Sequence, residues 1–512
     1  MSGPRNGARD TAPEAPPPGG PAPAGGALKH RPPFWVFTLY FSEGFPYSMV
    51  HQFSTVFFKD HGASLEAVGL TSLYRLPWIL KFAWAPLADA FSTKRRWILA
   101  AQCLLLGAAL AMAAGSALPR PLEAVAALFL AAALLAATQD IAVDGFYLEA
   151  LDRTRQAAYV GYQSMSYRLA MIAGGGGVIW FSGKFGWGPA FLLASGIIAF
   201  VFLFHAAFLP RTEPPKRPGA ELLSYLFRPA RLGILAAAAA GLAVLVWLWD
   251  RWGREVLSPH LPNLSVPAWI ALAFLAAMVL LLVFLRPLKR RMEGSDSLYA
   301  RAFVDYLDQR RIGVILAFLC TYRTGESFLL AMVYPLLKDI GLARDQYGLI
   351  YGTFGVAASI TGGILGGHLI GKFGLKKVIW PFVLAQNVPN LLYAALAVWY
   401  GPLAGHPERG AADPLVVAPF VVLEAFGAGL GTAVFMVFIM RTCKASFKSA
   451  HMSIATSIMN VSTTLAGVLS GFLAHWLGWP LFFVLTFLAT VPSMAMIPFL
   501  PHLGREAASE RP

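Results

Sequence analysis

Two acidic residues, Asp140 and Asp144, lie four positions apart in a long apolar stretch of the chain. On a helix this spacing places both carboxyl groups on one face. Two acids on one face in a medium of low dielectric resist being ionised together, which would suit a proton carrier. Arg168, in the next apolar stretch, could neutralise one of them. The alternative is a structural ion cluster that latches this helix to nearby basic turns.

A third acid, Glu43, lies in another apolar stretch, beside Gly44 and three residues before Pro46. Proline removes a backbone hydrogen bond and glycine allows close approach, so we expect a broken helix with an acid at its midpoint. Transporters often expose a binding site in this way. The alternative is that Pro46 only kinks the helix and that Glu43 pairs with Arg75 or Arg168.

The second half of the chain carries a matching set of ionisable residues. Arg323 and Glu326 are the counterparts of the Glu43 region, and Glu424 lies in a later apolar stretch. A charge at the centre of a bilayer costs about 2.5–3.5 kcal/mol on insertion scales, so such residues face a bundle interior and have partners. Guanidinium groups bind carboxylate and phosphate in a bidentate fork, which would suit an anionic substrate. The residues predicted to bind substrate or protons are Glu43, Gln139, Asp140, Asp144, Arg168, Arg323, Glu326 and Glu424.

The elements that must position these residues are membrane helices. Of the 512 residues, 57% are hydrophobic and 13% are charged. A soluble domain carries about 25% charged residues. A run of about 20 apolar residues spans the hydrocarbon core, and it must be helical because lipid cannot satisfy its backbone. Fourteen such runs lie near 34–58, 66–88, 97–117, 122–144, 160–182, 189–209, 232–250, 267–285, 312–337, 347–370, 377–400, 415–440, 450–473 and 479–499.

The net charge of +14 is explained by membrane topology and not by a nucleic-acid partner. If the N-terminus is cytoplasmic, the cytoplasmic segments hold 29 of the 41 Lys and Arg residues and the outer loops hold 8. Positive residues favour the cytoplasmic side, so we expect both termini there. The three cysteines lie in or at the ends of apolar runs without close spacing, which predicts neither a disulfide framework nor a metal site.

One block of sequence occurs twice, about 279 residues apart. The first copy reads Lys59-Asp60-His61-Gly62 and later Gly69-Leu70, and the second reads Lys338-Asp339-Ile340-Gly341 and later Gly348-Leu349. A weaker echo relates Gly186-Trp187 to Gly478-Trp479. A membrane chain made of two similar halves is typical of a secondary transporter.

These features predict an all-α membrane protein with two six-helix bundles and an extra central hairpin, fourteen membrane helices in total. The stretch 1–30, rich in Pro, Ala and Gly, predicts a disordered cytoplasmic tail, and 295–311 predicts an amphipathic helix on the inner surface. The predicted divisions are a tail at 1–30, a first bundle at 31–210, a linker at 211–311 with membrane helices 232–250 and 267–285, a second bundle at 312–500 and a tail at 501–512.

Two motifs carry a family resemblance. Residues 80–89 read LKFAWAPLAD and residues 137–145 read ATQDIAVDG, and a basic turn follows the second helix of each half. This pattern resembles the major facilitator superfamily and, within it, the peptide–acetyl-CoA transporter family, which includes the AmpG-type muropeptide permeases of bacteria. The resemblance covers roughly residues 34–500. It implies the major facilitator fold and a gating role for Asp89, Lys94, Arg95, Arg96, Lys372 and Lys376.

The resemblance further implies a permease of a bacterial inner membrane that imports an anionic sugar-peptide with protons, by alternating access. A siderophore transporter and a coenzyme A thioester transporter are alternatives within the superfamily. A membrane receptor or signalling protein is the alternative of a different class, and the repeat disfavours it. No His-Glu-x-x-His, nucleophile elbow or Cys/His cluster is present, so an enzyme is not expected. The expected partners are a small-molecule substrate, protons and the lipid bilayer, with no cofactor, metal or nucleic acid, and the chain is expected to be monomeric.

Overall fold

The computed structural model describes residues 32–81, 84–151, 153–211, 265–293, 298–402, 410–444 and 448–503, together with residues 218 and 221. We refer to the described residues 32–211 as the N-terminal half and to 298–503 as the C-terminal half. The helices of the N-terminal half are Pro32–Ser48, Ser54–Asp60, Leu65–Leu70, Leu76–Leu80, Ala85–Ala90, Lys94–Gly115, Pro121–Ala150, Arg153–Met171, Ile179–Phe185 and Trp187–Phe208.

A helix between the halves, Val266–Glu293, precedes those of the C-terminal half. The short helix Leu298–Leu307 packs against it and against the long helix Lys448–Leu488. This short helix falls in the stretch for which an amphipathic helix is predicted. The remaining helices are Ile312–Thr321, Thr324–Asp339, Arg344–Leu349, Val356–Phe373, Leu375–Asn387, Asn390–Trp399, Pro414–Thr442 and Val491–Met496.

Several of these helices are suited to cross a membrane. Among the described residues, eight helical segments are long and apolar enough to do so. One of the eight, Ile454–Phe499, has 46 residues and bends at Gly478, where the backbone is not helical. Every predicted apolar run except 232–250 overlaps a described helix. That run lies outside the described residues, as do the tail at 1–30 and residues 504–512, so the fourteen-helix count and the arrangement of two bundles plus a hairpin stay predictions.

The predicted break near Glu43 is wrong. The helix Pro32–Ser48 continues through Pro46 and passes directly into a π-helical turn, Met49–Phe53. A widened turn accommodates the missing N–H of a proline without unwinding the helix. At the corresponding place in the C-terminal half the chain does break, because one helix ends at Thr321 and the next begins at Thr324.

The two halves meet most closely at one end of the molecule, which we call the closed end. Its glycines permit backbone-to-backbone contact. A Cβ atom on Gly352 would lie 2.0 Å from the carbonyl oxygen of Gly175, and one on Gly471 would lie 2.0 Å from that of Leu65. Small residues allow helices to approach this closely. Side chains from both halves, including Phe57 and Leu337, form one buried apolar cluster.

Glycines of the repeated block end the helices at the closed end. Gly62 and Gly341 have φ angles of +76° and +95°, and Gly186 and Gly478 have φ angles of +85° and +70°. Residues with side chains rarely adopt this left-handed conformation, so glycine is the residue that allows the chain to turn here. The repeated glycines therefore place the Lys-Asp and Trp residues of both halves at the same end.

Candidate functional site

The acids predicted in the N-terminal half form a cluster with one lysine. The Lys81 ammonium forms an ion pair with the Asp140 carboxylate. The carboxyl groups of Glu43 and Asp140 are within hydrogen-bonding reach of each other. The Tyr40 hydroxyl donates to Asp144 Oδ1 at 3.1 Å. Three acids, one lysine and one tyrosine thus meet where three separate stretches of sequence pack together.

This cluster is buried on one side and open on the other. Asp140 is 7% exposed, whereas Asp144, one helical turn further on, is exposed. Glu43 Oε2 is buried, and no donor among the described residues reaches it. Gln139 Nε2 donates a hydrogen bond to the Ser42 carbonyl oxygen at 2.7 Å. The cluster therefore connects a buried carboxyl group to an accessible one through Asp140.

The C-terminal half contains a second buried cluster. Arg323 Nη2 lies 2.7 Å from Glu326 Oε1, and Gln386 Nε2 donates to Glu326 Oε2 at 2.8 Å. The Tyr393 hydroxyl donates to Glu424 Oε2 at 3.3 Å. Glu326 and Glu424 are 5% and 2% exposed. Each predicted acid in this half therefore has a donor that orients it.

Arg168 has a different place from the one expected. The cation that pairs with Asp140 is Lys81, and the guanidinium of Arg168 instead lies beside Gly363 of the C-terminal half. The Glu43 carboxyl group lies beside that of Asp140, whereas the sequence suggests an ion pair with Arg75 or Arg168 as an alternative. Helical spacing cannot reveal this pairing, because it depends on how each helix is rotated against its neighbours.

Four members of these clusters are outside the set predicted to bind substrate or protons. They are the lysine on Asp140 and the donors to Asp144, Glu326 and Glu424, namely Lys81, Tyr40, Gln386 and Tyr393. Tyr40 precedes Glu43 by three positions, so the two residues share a helix face. This spacing from Glu43 could have identified Tyr40 as a member of the site. Nothing in the sequence near Tyr393 relates it to Glu424.

At the closed end, the repeated block of each half pairs with that of the other. Lys59 Nζ lies 2.7 Å from Asp339 Oδ1, and Lys338 Nζ lies 2.6 Å from Asp60 Oδ1. An indole N–H from the same half holds each aspartate. Trp187 Nε1 donates to Asp60 and Trp479 Nε1 donates to Asp339, both at 3.1 Å. The repeated residues thus form two reciprocal ion pairs across the boundary between the halves.

Sequence comparisons match both halves to known transporter families. The Major Facilitator Superfamily sequence model matches residues 314–512, and the BT1 family model matches residues 44–184. Solved transporters share this fold over most of the chain. The crystal structure of the peptide transporter POT in complex with sulfate has a TM-score of 0.65, with 15% identity, and covers 92% of this chain and 95% of that one.

The chain is a membrane transporter that resembles those of the major facilitator type. It is similar to the anhydromuropeptide permease of Escherichia coli (strain K12), with 24% identity over 471 residues, 90% of this chain and 78% of the relative. A putative transporter AmpG 2 of Rickettsia prowazekii is 29% identical over 233 residues, 45% of this chain and 54% of the relative. The resemblance to AmpG-type permeases is therefore confirmed.

The residues expected to gate the transporter lie at the opposite end, which we call the basic end. Lys94 is 1% exposed and packs against Gly145. Arg95 Nη2 donates to the carbonyl oxygen of Ala206 at 2.7 Å. The remaining cations of this set, Arg96, Lys372 and Lys376, are exposed, and the side chain of Asp89 lies outside the described residues. The gating role of this set stays a prediction.

Within the described part of the chain, no three His, Cys, Asp or Glu side chains form a group that could hold a metal ion. Cys103, Cys320 and Cys443 are thiols and not disulfide partners. The groups gathered in the two clusters are carboxyl, ammonium, guanidinium, carboxamide and phenol groups.

Proposed function

We propose that the transporter imports an anionic sugar-peptide together with protons by alternating access. The observation that carries the proposal is the contact between the Glu43 and Asp140 carboxyl groups beside Lys81. Two carboxyl oxygens can share a hydrogen bond only if one group carries a proton. Lys81 can balance the charge of one carboxylate, so the second acid of the pair binds a proton or stays unbalanced.

Electrostatics favours protonation over double ionisation. Two unit charges about 4 Å apart interact by about 4 kcal/mol at an effective dielectric constant of 20, whereas a tenfold change in proton binding corresponds to about 1.4 kcal/mol. Ionisation of both acids of this buried pair beside one lysine is therefore unfavourable. When Lys81 or the substrate rearranges during transport, that balance changes and the proton can leave through Asp144, which is exposed.

The proposed substrate class rests on chemistry and on the relatives. An anhydromuropeptide permease is among the curated proteins similar to this chain. Arg168 and Arg323 are candidates to bind a substrate carboxylate, because a guanidinium group offers two parallel donors. Arg168 lies against Gly363, a residue without a side chain, in the other half. A substrate held by Arg168 would therefore contact both halves.

The proposed orientation follows from the basic residues. We assign the basic end to the cytoplasm, with both chain termini on that side, because loops rich in Lys and Arg stay cytoplasmic. The closed end then faces outward, and the described arrangement is one in which the outer access is shut. We further propose that the transporter acts as a monomer in the inner membrane.

Uptake into proteoliposomes tests the proposal. Purified transporter would be reconstituted, and uptake of a radiolabelled anhydromuropeptide would be followed with an imposed pH gradient, acidic outside. We expect accumulation that a protonophore abolishes. Uptake that continues unchanged with the protonophore present would refute proton coupling. Absence of any uptake, under conditions where the protein is folded, would refute the substrate class.

A further inference from the structure

The closed end is nearly two-fold symmetric, because each half contributes one copy of the repeated block. The blocks beginning at Lys59 and Lys338 align without gaps, and Glu66 and Asp345 occupy equivalent positions. Each of these acids also contacts the opposite half, since Glu66 lies 3.0 Å from His475 Nδ1 and Asp345 lies 2.7 Å from Lys184 Nζ. Closure of this end is therefore built from matching contacts.

Two positions break the match by placing a basic side chain where the other copy has an aliphatic one. His61 corresponds to Ile340, and Arg344 corresponds to Leu65. Both basic residues line the same cavity of about 410 Å³, which Asp60 also lines. Ligand pockets usually have volumes of about 300–1,000 Å³. The symmetry-related ion pair, Lys59 with Asp339, has Leu65 and Ile340 at the equivalent positions and closes the same end, so closure by itself does not require His61 or Arg344.

The asymmetry leaves this cavity with more cationic than anionic groups. Asp60 is a single carboxylate between Lys338 at 2.6 Å and Arg344 at 2.8 Å. It also accepts a hydrogen bond from the Tyr334 hydroxyl. Asp60 therefore has two cationic partners, whereas Asp339 pairs with Lys59 among the described residues. One carboxylate cannot use all the donors of an ammonium and a guanidinium group.

One of these donors is already buried without an acceptor. Arg344 Nε is inaccessible to water, and no acceptor among the described residues reaches it. A buried donor without a hydrogen-bond partner is unfavourable. The Arg344 guanidinium also lies 5.1 Å from the centre of the Trp187 ring, which holds it over the cavity. A second carboxylate in the cavity would bind the Arg344 guanidinium in competition with Asp60.

We propose that this cavity is an outer anion site, which binds a carboxylate of the incoming substrate at Arg344 and Lys338 in place of Asp60. The inference rests on the proposed import of an anionic sugar-peptide. Binding at the site removes Asp60 from one of the two reciprocal ion pairs, Asp60 with Lys338, and leaves the pair of Lys59 with Asp339 intact. An anionic substrate thus loosens the closed end from outside, and a neutral one does not.

Variants that restore the symmetry of the repeat test the site. Arg344→Leu and His61→Ile each install the residue that the other copy already carries, so the packing has a precedent in the same chain. Arg120→Leu is the matched control, because it removes an exposed arginine from the loop before Pro121–Ala150. In right-side-out vesicles, we expect Arg344→Leu to raise the external KM for anhydromuropeptide about tenfold. His61→Ile should raise it less, and Arg120→Leu should leave it unchanged.

Comparison of the two faces separates this site from the central clusters. Loss of an outer site raises the external KM but leaves the KM for efflux, measured from the inner face, within twofold of the unmodified protein. An equal change on both faces, or unchanged external KM in both Arg344→Leu and His61→Ile, would overturn the proposal. If Arg344→Leu does not fold, His61→Ile gives the same comparison.

A binding assay keeps the outer site testable if transport of the chosen substrate fails. The probe is N-acetylmuramic acid, and N-acetylglucosamine, which lacks the carboxylate, is its neutral match. We expect the acid alone to raise the unfolding temperature of the detergent-purified protein, and Arg344→Leu to lose most of that rise. No difference between the two sugars would overturn the site, whereas failed uptake with intact binding would count against the proposed function alone.

An anionic lipid headgroup has the same chemistry as the substrate carboxylate, and the vesicle composition distinguishes them. The external KM of Arg344→Leu would be measured in phosphatidylcholine vesicles with and without phosphatidylglycerol. We expect the tenfold difference in both membranes. A difference that is present only with phosphatidylglycerol would assign the site to a lipid headgroup and would overturn the proposal.

Discussion

Lys59 and Asp339 form an ion pair across the boundary between the two halves, with Nζ and Oδ1 2.7 Å apart. The residue after Lys59 and the residue before Asp339 form the reciprocal pair, in which Lys338 Nζ lies 2.6 Å from Asp60 Oδ1. The Lys-Asp motif of each half therefore pairs with the Lys-Asp motif of the other half. A change at one position should therefore be compensated at a single, known position in the other half.

Reversing the charge of one partner should open the closed end, and reversing both should close it again. Lys59→Asp places two carboxylates together, so we expect a lower unfolding temperature and slower uptake. The double variant Lys59→Asp with Asp339→Lys restores an ion pair of opposite polarity and should recover most of both. Thermal unfolding and proteoliposome uptake are the measurements. A double variant no better than the single one would show that the pair does not act as a unit.

A methyl group on Gly352 should keep the closed end from closing. Its Cβ would lie 2.0 Å from the carbonyl oxygen of Gly175, which backbone atoms cannot accommodate without movement. We expect Gly352→Ala to increase hydrogen–deuterium exchange over residues 59–70 and to slow uptake. Gly367→Ala is the control, since a Cβ there meets nothing within 4 Å. Equal exchange in the two variants would contradict the assignment.

Glu43→Gln should uncouple or stop transport without unfolding the protein. Glutamine has nearly the same shape but cannot exchange a proton with Asp140. We expect strongly reduced uptake, and any remaining uptake should lose its dependence on the pH gradient. Glu123→Gln serves as control, because Glu123 is an exposed acid in the first turn of Pro121–Ala150. Wild-type rate and pH dependence in both Glu43→Gln and Asp140→Asn would show that the proton site lies elsewhere.

Asp144 distinguishes a binding role from a structural latch. If Asp144 passes protons, Asp144→Asn should change the pH dependence of exchange between substrate inside and outside. If the acids only latch the helix, the same variant should alter the rate of exchange while substrate affinity and pH dependence stay the same. Exchange measured at several pH values and substrate concentrations separates the two outcomes.

Removing Lys81 should destabilise the N-terminal half, and removing Asp140 as well should restore part of the loss. Breaking one side of a buried ion pair is unfavourable by about 3–5 kcal/mol, and we expect the lower end because the Lys81 side chain is 34% exposed. Unfolding temperatures of Lys81→Met, Asp140→Asn and the double variant form the cycle. Purely additive effects would mean that the two residues do not interact.

His451 should make stability depend on pH below neutrality. It lies before the membrane-spanning segment, donates from Nε2 to the Ala302 carbonyl oxygen and accepts at Nδ1 from the Lys444 N–H, both at 3.1 Å. Burial is the main cause that lowers the pKa of His451; Asp305 and the hydrogen bond to the Ala302 carbonyl oxygen oppose this, and nearby Lys444 adds to it. The Tyr306 ring packs against the imidazole.

The direction in which stability changes with pH follows from proton binding to His451. Because the folded-state pKa of His451 lies below its unfolded value of 6.5, the unfolded chain binds more protons between these two values. The stabilising contribution is therefore complete above about pH 6.5 and is lost as the pH falls toward the folded-state pKa. We expect His451→Asn to reduce the fall in unfolding temperature between pH 7.5 and pH 5.5. The exposed His368→Asn should behave like the unmodified protein, and an equal slope in all three would contradict this assignment.

The chain's membrane character and its family could be predicted from the sequence. Apolar runs of membrane-spanning length require helices, because backbone groups in lipid must bond within their own segment. The acids Glu43 and Asp140 could be identified as candidates in the same way, since isolated charges in such runs need a reason to be there. These inferences depend on composition and local spacing, which the sequence contains in full.

Only the tertiary structure decided which groups meet. It placed Lys81 and not Arg168 on Asp140, carried the first helix through Pro46, and turned the Lys-Asp repeat into two reciprocal ion pairs. Helical periodicity determines which residues share a face of one helix, but contacts between helices depend on their relative rotation, depth and tilt. Those quantities come from the packing of many side chains at once, and no short stretch of sequence contains them.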